Sequence, residues 1–427
     1  MNRLERGSHF VSADRRFHTG GGLAARLITR VLGGGFGRIL DRIDSGLSVG
    51  GIDSILPDGT HRMLGGRAPG PMPVVRLQSW RAIVRLMTSG SVGWYKAWAL
   101  GEWSSPDPVL LFDLFMRNAA SLGETARAKG FFRLVNRLAH AFRGNDRDGA
   151  RRNVAWHYDL GNDFYAAWLD PGMTYSSAVF TALPPSPDEP LEAAQSRKLH
   201  LLLDRLKLQP GARLLEIGCG WGSLAETAAR DYGAHVTGLT LSAEQKAWAE
   251  ERIAAAGLDG RVAIRLEDYR DAQGSYDAIA SVEMVEAVGQ DYWPSYLEAI
   301  SRLLRPGGRA ALQLISIRDD LFESYAANAD FIQTYIFPGG MLVGEERFRA
   351  IAEAAGLEWR NRAGYGLHYA ETLKRWRSRY DESVASGRLP AGFDEAFHKV
   401  WRYYLMYCEG GFRGGGIDVA QVTLVKK

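Results

Sequence analysis

Residues 214–222 read Leu214-Leu215-Glu216-Ile217-Gly218-Cys219-Gly220-Trp221-Gly222. Aliphatic positions run into an acidic residue, three glycines follow at spacing two, and a helical pattern begins at once over Ser223 to Arg230. Such a stretch is a buried parallel strand ending in a turn whose glycines lack Cβ atoms, so that a ligand lies against the backbone. The helix behind the turn presents its N-terminal amides to that ligand. Many nucleotide-binding loops share a bare G-x-G-x-G, and on the glycines alone a phosphate-binding Rossmann loop stays open.

Working outward, strand and helix patterns alternate. Strands are expected at 214–217, 235–241, 262–266, 276–282 and 309–317, and helices at 222–231, 243–256 and 293–304. Ser242 is a candidate N-cap. Arg305-Pro306-Gly307-Gly308 is read as a break before the strand at 309, and Val419–Val425 as a late strand. The β/α alternation implies an α/β fold with a parallel, doubly wound sheet and its ligand at the strand C-termini. Helical stretches near 319–335 and 369–408 are insertions into that core.

The 427 residues suggest two domains. With 46% hydrophobic and 24% charged residues the protein can bury a full core, which argues against disorder. There is no run of 18 apolar residues, so no transmembrane helix is expected, and MNRLERGSHF lacks the apolar region of a secretory signal. Cys219 and Cys408 have no metal-ligand or redox spacing, and read as small buried thiols. No metal site is expected. The polar linker Arg143–Gly149 separates an N-terminal domain, residues 1–145, from residues 150–427. The first domain reads as small and α+β. It has a helical stretch at 23–42 interrupted by Gly33-Gly34-Gly35, alternation at 74–86, and helices at 108–142. Residues 1–150 carry 21 Lys/Arg against 12 Asp/Glu, a net +9, whereas the remainder carries 31 against 37, a net −6. A basic first domain suits an anionic membrane surface or nucleic acid, or is simply a solvated arginine-rich surface. No zinc-finger or RNA-binding signature accompanies it, so nucleic acid is not expected as a partner.

The acidic residue before the glycines, E/D-x-G-x-G-x-G, resembles motif I of S-adenosylmethionine-dependent methyltransferases. Further segments point the same way: Trp156-His-Tyr-Asp-Leu-Gly-Asn-Asp-Phe-Tyr165, Met173-Thr-Tyr-Ser-Ser-Ala178 and Gly238-Leu-Thr-Leu-Ser242 followed by Gln245. Glu267-Asp-Tyr-Arg-Asp271, Ser281-Val-Glu-Met-Val-Glu-Ala-Val-Gly289 and Tyr335-Ile-Phe-Pro-Gly-Gly340 come after them. Taken together and in this order, residues 150–427 resemble the cyclopropane-fatty-acyl-phospholipid synthase family. The resemblance implies a Rossmann-like, seven-stranded class I methyltransferase sheet with helical insertions, the late strand being the seventh. It implies methyl transfer from S-adenosylmethionine to the cis double bond of an acyl chain on a membrane phospholipid. An alkene is a poor nucleophile, so alignment with the sulfonium and exclusion of water must carry the step. The resulting carbocation is stabilised by aromatic faces and carboxylates. A base then removes a proton: loss from the new methyl closes a cyclopropane, and loss from a neighbouring acyl carbon leaves a methyl-branched alkene. In the family that base is a bound bicarbonate.

The resemblance also implies roles. Gly218, Gly220 and Gly222 form the cofactor turn, Tyr175 and Ser176 approach the methionine carboxylate, and Thr240 and Gln245 lie beside the ribose. Tyr269 flanks the adenine with Asp268 or a neighbouring backbone group near its amine, and His157, Tyr158 and Asp159 close over the cofactor. Glu286 is the expected acid–base carboxylate and Tyr369 the bicarbonate-contacting tyrosine, with Gln313 and Ser177 in the same cluster. Bacterial relatives have a histidine and a cysteine where this sequence has Gln313 and Ser177. The serine puts the cyclopropane product, and the bicarbonate, in question more than methyl transfer itself. Trp376, Trp401, Tyr403, Tyr404 and Tyr407 either pack helices or line an acyl tunnel. The expected enzyme lies in the cytoplasm and docks peripherally on the inner face of the membrane; a homodimer is left open. A small-molecule N-methyltransferase and a lipid-binding protein without turnover are the alternatives.

Overall fold

The computed structural model describes residues 6–12, 35–123 and 160–427. The described residues fall into two compact units. One comprises Met1–Arg143 together with Asp320–Pro338 and Ala391–Gly416, and the other Gly144–Asp319, Gly339–Pro390 and Ile417–Lys427. The division therefore differs from a single cut near residue 145. Two segments expected in the methyltransferase domain pack with the N-terminal one, because their apolar faces are covered there.

The first unit is α+β, as its sequence suggests. Its four-stranded sheet has the order β2-β1-β3-β4, from β1 (Gly51–Ile55), β2 (His61–Gly65), β3 (Val74–Leu77) and β4 (Trp103–Ser104). The alternation expected over 74–86 stops at Leu77, and a helix from Arg81 to Ala99 takes its place, kinked at Gly90 with φ 55°. Asp107 caps the helix Pro108–Arg117 by accepting from the Leu110 amide, and Pro108 opens it with a ring that needs no donor. That helix lies close against the helix Glu395–Arg413: a Cβ on Gly410 would come within 2.4 Å of the Phe112 Cβ. Tyr403 packs edge-on against Phe331, Tyr95 and Phe112 at 4.7, 5.0 and 5.2 Å between ring centres. Rings at these separations add to the area they bury. Trp401, Tyr403, Tyr404 and Tyr407 all belong to this unit's helix Glu395–Arg413 and pack within it. The 23–42 reading falls largely outside the described residues, where only the helix Gly35–Gly46 is seen; of 108–142, residues beyond 123 also lie outside.

The second unit holds the large sheet, with strand order β11-β12-β9-β8-β5-β6-β7. Its strands are β5 (Arg213–Ile217), β6 (His235–Thr240), β7 (Val262–Leu266), β8 (Tyr276–Val282), β9 (Leu304–Ile317), β11 (Leu357–Gly364) and β12 (Ile417–Lys426). A two-residue strand, β10 (Val343–Gly344), adds to β9 as an eighth. β5 to β9 run parallel, and β12 inserts antiparallel between β9 and β11. The sheet has the seven strands that the resemblance implies, β11 being one that the sequence pattern does not mark. β5 is buried from Leu214 to Ile217 because helices cover both faces, which is why it reads as a continuous apolar run. Leu199, Leu202 and Leu203 of the helix Leu191–Asp204 pack with Leu214, Ala225, Ala228 and Ala280 in one core cluster. Each such leucine contributes about 1.5–3 kcal/mol of burial. The break read at 305–308 is present as a bulge inside β9: Tyr276 pairs with Leu304 and Ala278 with Arg309, so the intervening residues loop out at Gly307, φ 74°. The stretch 369–408 is two helices, Gly366–Ala385 and Glu395–Arg413, one in each unit, separated by a segment containing Pro390.

Candidate active site

β5 ends at Ile217, and Gly218, Gly220 and Gly222 follow with φ of 81°, 51° and 85°, a region L side chains rarely adopt. A Cβ on Gly218 would also come within 2.8 Å of Met284 Cγ, whereas one on Gly220 would meet nothing within 4 Å. The turn therefore opens at Gly220 onto a cavity lined by the ends of β5 to β8. Tyr175, Ser176, Gly218, Gly220, Thr240, Gln245, Asp268 and Tyr269 all line it. Gly222 does not; it caps the helix Ser223–Asp231 and packs on Ala249. Tyr158, with His157 and Asp159, lies outside the described residues.

The polar lining is cross-braced. Ser242 caps the helix Ala243–Ala255 by accepting from the Gln245 amide at 3.3 Å, and Thr240 Oγ1 donates to Gln245 Oε1 at 3.0 Å. Each fixes the other's rotamer, so both face the cavity ready-oriented. Asp268 is gripped by its neighbour: Arg270 donates from Nε at 2.9 Å and from Nη2 at 2.6 Å, while its guanidinium lies 5.6 Å over the Tyr269 ring. Tyr175 stacks at a tilt on Trp376 (5.3 Å), and Trp376 meets Tyr369 edge-on (6.0 Å). Of the C-terminal aromatics singled out, Trp376 is the one beside these site residues.

Two charged groups in the cavity are not ones the sequence singles out. Lys198, on the helix Leu191–Asp204, is fully buried and its Nζ donates to Ser176 Oγ at 2.5 Å. Burial pushes its pKa down to about 8, against the opposing pull of Glu283, Asp170 and Glu216. Glu216 is likewise pushed up to about 8 by burial, with Lys198 opposing. The second group is Glu283, directly after β8, whose own φ is 48°. Its Oε1 accepts from the Ser177 amide at 2.9 Å and from Gln313 Nε2 at 2.8 Å; its Oε2 accepts from the Tyr369 hydroxyl at 2.8 Å. Desolvation raises its pKa, while Lys198 and these three donors pull it back down. Gln313 is held in turn by Gln421 of β12, which donates to its Oε1 at 3.1 Å, and Arg205 donates to Gln421.

The expected cluster of Ser177, Gln313 and Tyr369 thus converges, but on Glu283 rather than on Glu286. Glu286 sits in the single turn Val285–Ala287 and is not among the residues lining the cavity. Its Oε1 accepts from the Ile315 amide, and its Oε2 is buried with no hydrogen-bond partner. Burial and the nearby Glu283 push its pKa up to about 8. Ser177 enters through its backbone, for its hydroxyl donates to the Ala178 carbonyl at 3.0 Å. Cys219 is buried and its thiol is pushed up by burial, as expected of an inert packing thiol.

Residues 145–422 match the family model described as mycolic acid cyclopropane synthetase. The protein is similar to the tuberculostearic acid methyltransferase of Mycobacterium tuberculosis, at 42% identity over 349 residues covering 80% of this sequence and 81% of that protein. It is also similar to the cyclopropane-fatty-acyl-phospholipid synthase of Escherichia coli, at 34% over 376 residues covering 84% and 89%. Among solved structures, a mycolic acid cyclopropane synthase complexed with SAH (S-adenosylhomocysteine) and CTAB superposes with a TM-score of 0.58. It is 31% identical, and the match covers 65% of this protein and 98% of that one.

Proposed function

The chain belongs to the mycolic acid cyclopropane synthetase family, and from that premise we propose a methyl transfer from S-adenosylmethionine to the cis double bond of an unsaturated acyl chain on a membrane phospholipid. The product we propose is a methyl-branched alkene. The single observation that carries the reading is that the glycine turn and the Glu283 carboxylate line one cavity. A methyl donor against Gly218 and Gly220 and a carboxylate for the ensuing cation then share one cavity. When bound, S-adenosylmethionine supplies the electrophilic methyl. In this reading Thr240 and Gln245 hold the ribose, Tyr269 and the Arg270-braced Asp268 the adenine, and Tyr175 and Ser176 the methionine carboxylate. Tyr175 faces the developing cation, which its π-electrons attract, with Trp376 and Tyr369 packed in turn behind it.

The branched product is supported by the likeness being 42% to a protein named as a methyltransferase and 34% to one named as a cyclopropane synthase. Purified enzyme with S-adenosylmethionine and unsaturated phospholipid vesicles should release S-adenosylhomocysteine and label the lipid. Labelling of added amines but not of the vesicles would favour the N-methyltransferase alternative and defeat this one.

No helix among the described residues is long and apolar enough to cross a membrane. The N-terminal stretch, residues 1–150, is proposed to dock peripherally on anionic lipid of the inner face, on the strength of its net +9. Sedimentation with vesicles should therefore weaken sharply as salt rises; binding indifferent to salt and headgroup charge contradicts it.

A further inference from the structure

The reaction leaves a carbocation that must lose a proton, and the sequence resemblance points to a bicarbonate as the acceptor. The site does not suit one. Of the three groups that would hold it, the Ser177 amide has one hydrogen to give and gives it to Glu283. The Tyr369 hydroxyl also has one, and donates it to Glu283. Gln313 has two, shared between Glu283 Oε1 and the Ser177 carbonyl at 3.3 Å. The serine hydroxyl is turned to Ala178. A bicarbonate would have to displace a tethered anion of similar shape, and a second anion beside the first is disfavoured by like charge.

Resting on the reading that the protein methylates an alkene, we propose that Glu283 is itself the base, its carboxylate standing where a bound bicarbonate would otherwise act. As the sulfonium S–CH3 bond breaks, its electron pair stays on sulfur, and the alkene π-electrons form the new C–CH3 bond. An acyl C–H bond beside the cation then gives its electron pair to the new double bond and its proton to Glu283, which becomes a carboxylic acid. The proton returns to water when products leave. A carboxylate offers about four lone-pair positions; three are taken by the donors, and one remains for the proton.

Three further observations support this. Glu283 holds a left-handed φ of 48° that a non-glycine residue adopts only where its surroundings enforce it, and such strain collects at functional sites. Burial raises its pKa and so strengthens it as a proton acceptor, while the buried Lys198 opposes that rise and favours the ionised form. The other carboxylates lining the cavity, Glu216, Glu267 and Asp268, lie at the ends of β5 and β7, whereas Glu283 follows β8 and accepts from Tyr369 and Gln313.

The test starts from the unaltered enzyme on unsaturated phosphatidylglycerol vesicles, in buffer purged of carbon dioxide and in the same buffer with bicarbonate restored. The two rates should agree within threefold; larger stimulation overturns the proposal. Glu283→Gln keeps the shape and an acceptor for Ser177 and Gln313. It should lose lipid methylation by about 10²- to 10⁴-fold, the span of general-base effects, while binding S-adenosylhomocysteine within threefold of wild type by calorimetry. Retention of more than a tenth of the activity overturns the proposal. If that variant does not fold, the bicarbonate comparison decides. A wild type that methylates only amines defeats the underlying function instead, and the proposal with it.

Discussion

Tyr369→Phe removes one atom, the hydroxyl that donates to Glu283 Oε2 at 2.8 Å, and leaves the ring against Trp376. A hydrogen bond to a charged group contributes about 1.5–3 kcal/mol. The hydroxyl favours the ionised carboxylate, so its loss favours the protonated one. At about 1.4 kcal/mol per pKa unit, the pKa of Glu283 should rise by roughly 1–2 units. A base must be ionised to act, and activity therefore climbs with pH as Glu283 deprotonates. The acid limb of the kcat/KM profile should move to higher pH by the same roughly 1–2 units. The assay is S-adenosylhomocysteine release from unsaturated vesicles between pH 5 and 9, with Tm recorded alongside. An acid limb that stays in place while the plateau falls would refute the reasoning, because Tyr369 would then act by some route other than through this carboxylate.

Gly218→Ala places a Cβ at φ 81° and 2.8 Å from Met284 Cγ; about 1–2 kcal/mol of left-handed strain should lower Tm by several degrees. It should also weaken S-adenosylhomocysteine binding at least about tenfold, roughly 1.4 kcal/mol; unchanged calorimetric affinity counts against the turn's role. Ser177→Cys should leave the product ratio alone, because the residue reaches Glu283 through its amide; a switch to cyclopropane in lipid extracts would show that the side chain steers the proton. Glu286 is pushed up from 4.5 to about 8, so across that window the native protein keeps a proton that the unfolded one has lost. Stability from this group is then intact below 4.5 and falls as pH rises, by about 1.4 kcal/mol per unit. Glu286→Gln should therefore gain on the wild type from pH 5 to 8 in Tm and level off beyond; parallel curves would rule the shift out.

Local physics made much of this structure readable. The apolar run at 214–217 and the glycines after it could hardly be anything but a buried strand and its turn, and Ser242 caps the helix it was read to cap. Boundaries slipped where tertiary contacts decide. Residues 305–308 contain Pro-Gly-Gly and read as a stop, yet β9 and β8 pair on both sides of them. The segments 320–338 and 391–416 join the first unit through long-range packing that no local pattern announces.

In the site, residues next to strand ends were legible and partners from distant elements were not. Glu283 and Glu286 stand three apart in Ser281–Gly289, and the apolar surroundings favoured the second. What separates them is a backbone angle: the left-handed turn at Glu283 brings its carboxylate to the cavity, and residue type does not reveal that. Lys198 looks like any lysine on an amphipathic helix. Gln421 did carry a signal, an amide amid Val419-Ala-Gln-Val-Thr-Leu424, where a buried polar group needs partners. Its partners, Gln313 and the Lys198 carbonyl, come from elements more than a hundred residues away.

The central claim is that this protein methylates an acyl-chain alkene and ends in a branched olefin. The direct measurement is mass spectrometry and proton NMR of lipids from a heterologous host supplied with monounsaturated fatty acids and expressing the protein. The expected result is acyl chains heavier by one CH2, with an olefinic signal retained and a new branch methyl. Cyclopropane ring protons, or unmodified lipids from a host making folded protein, would contradict it.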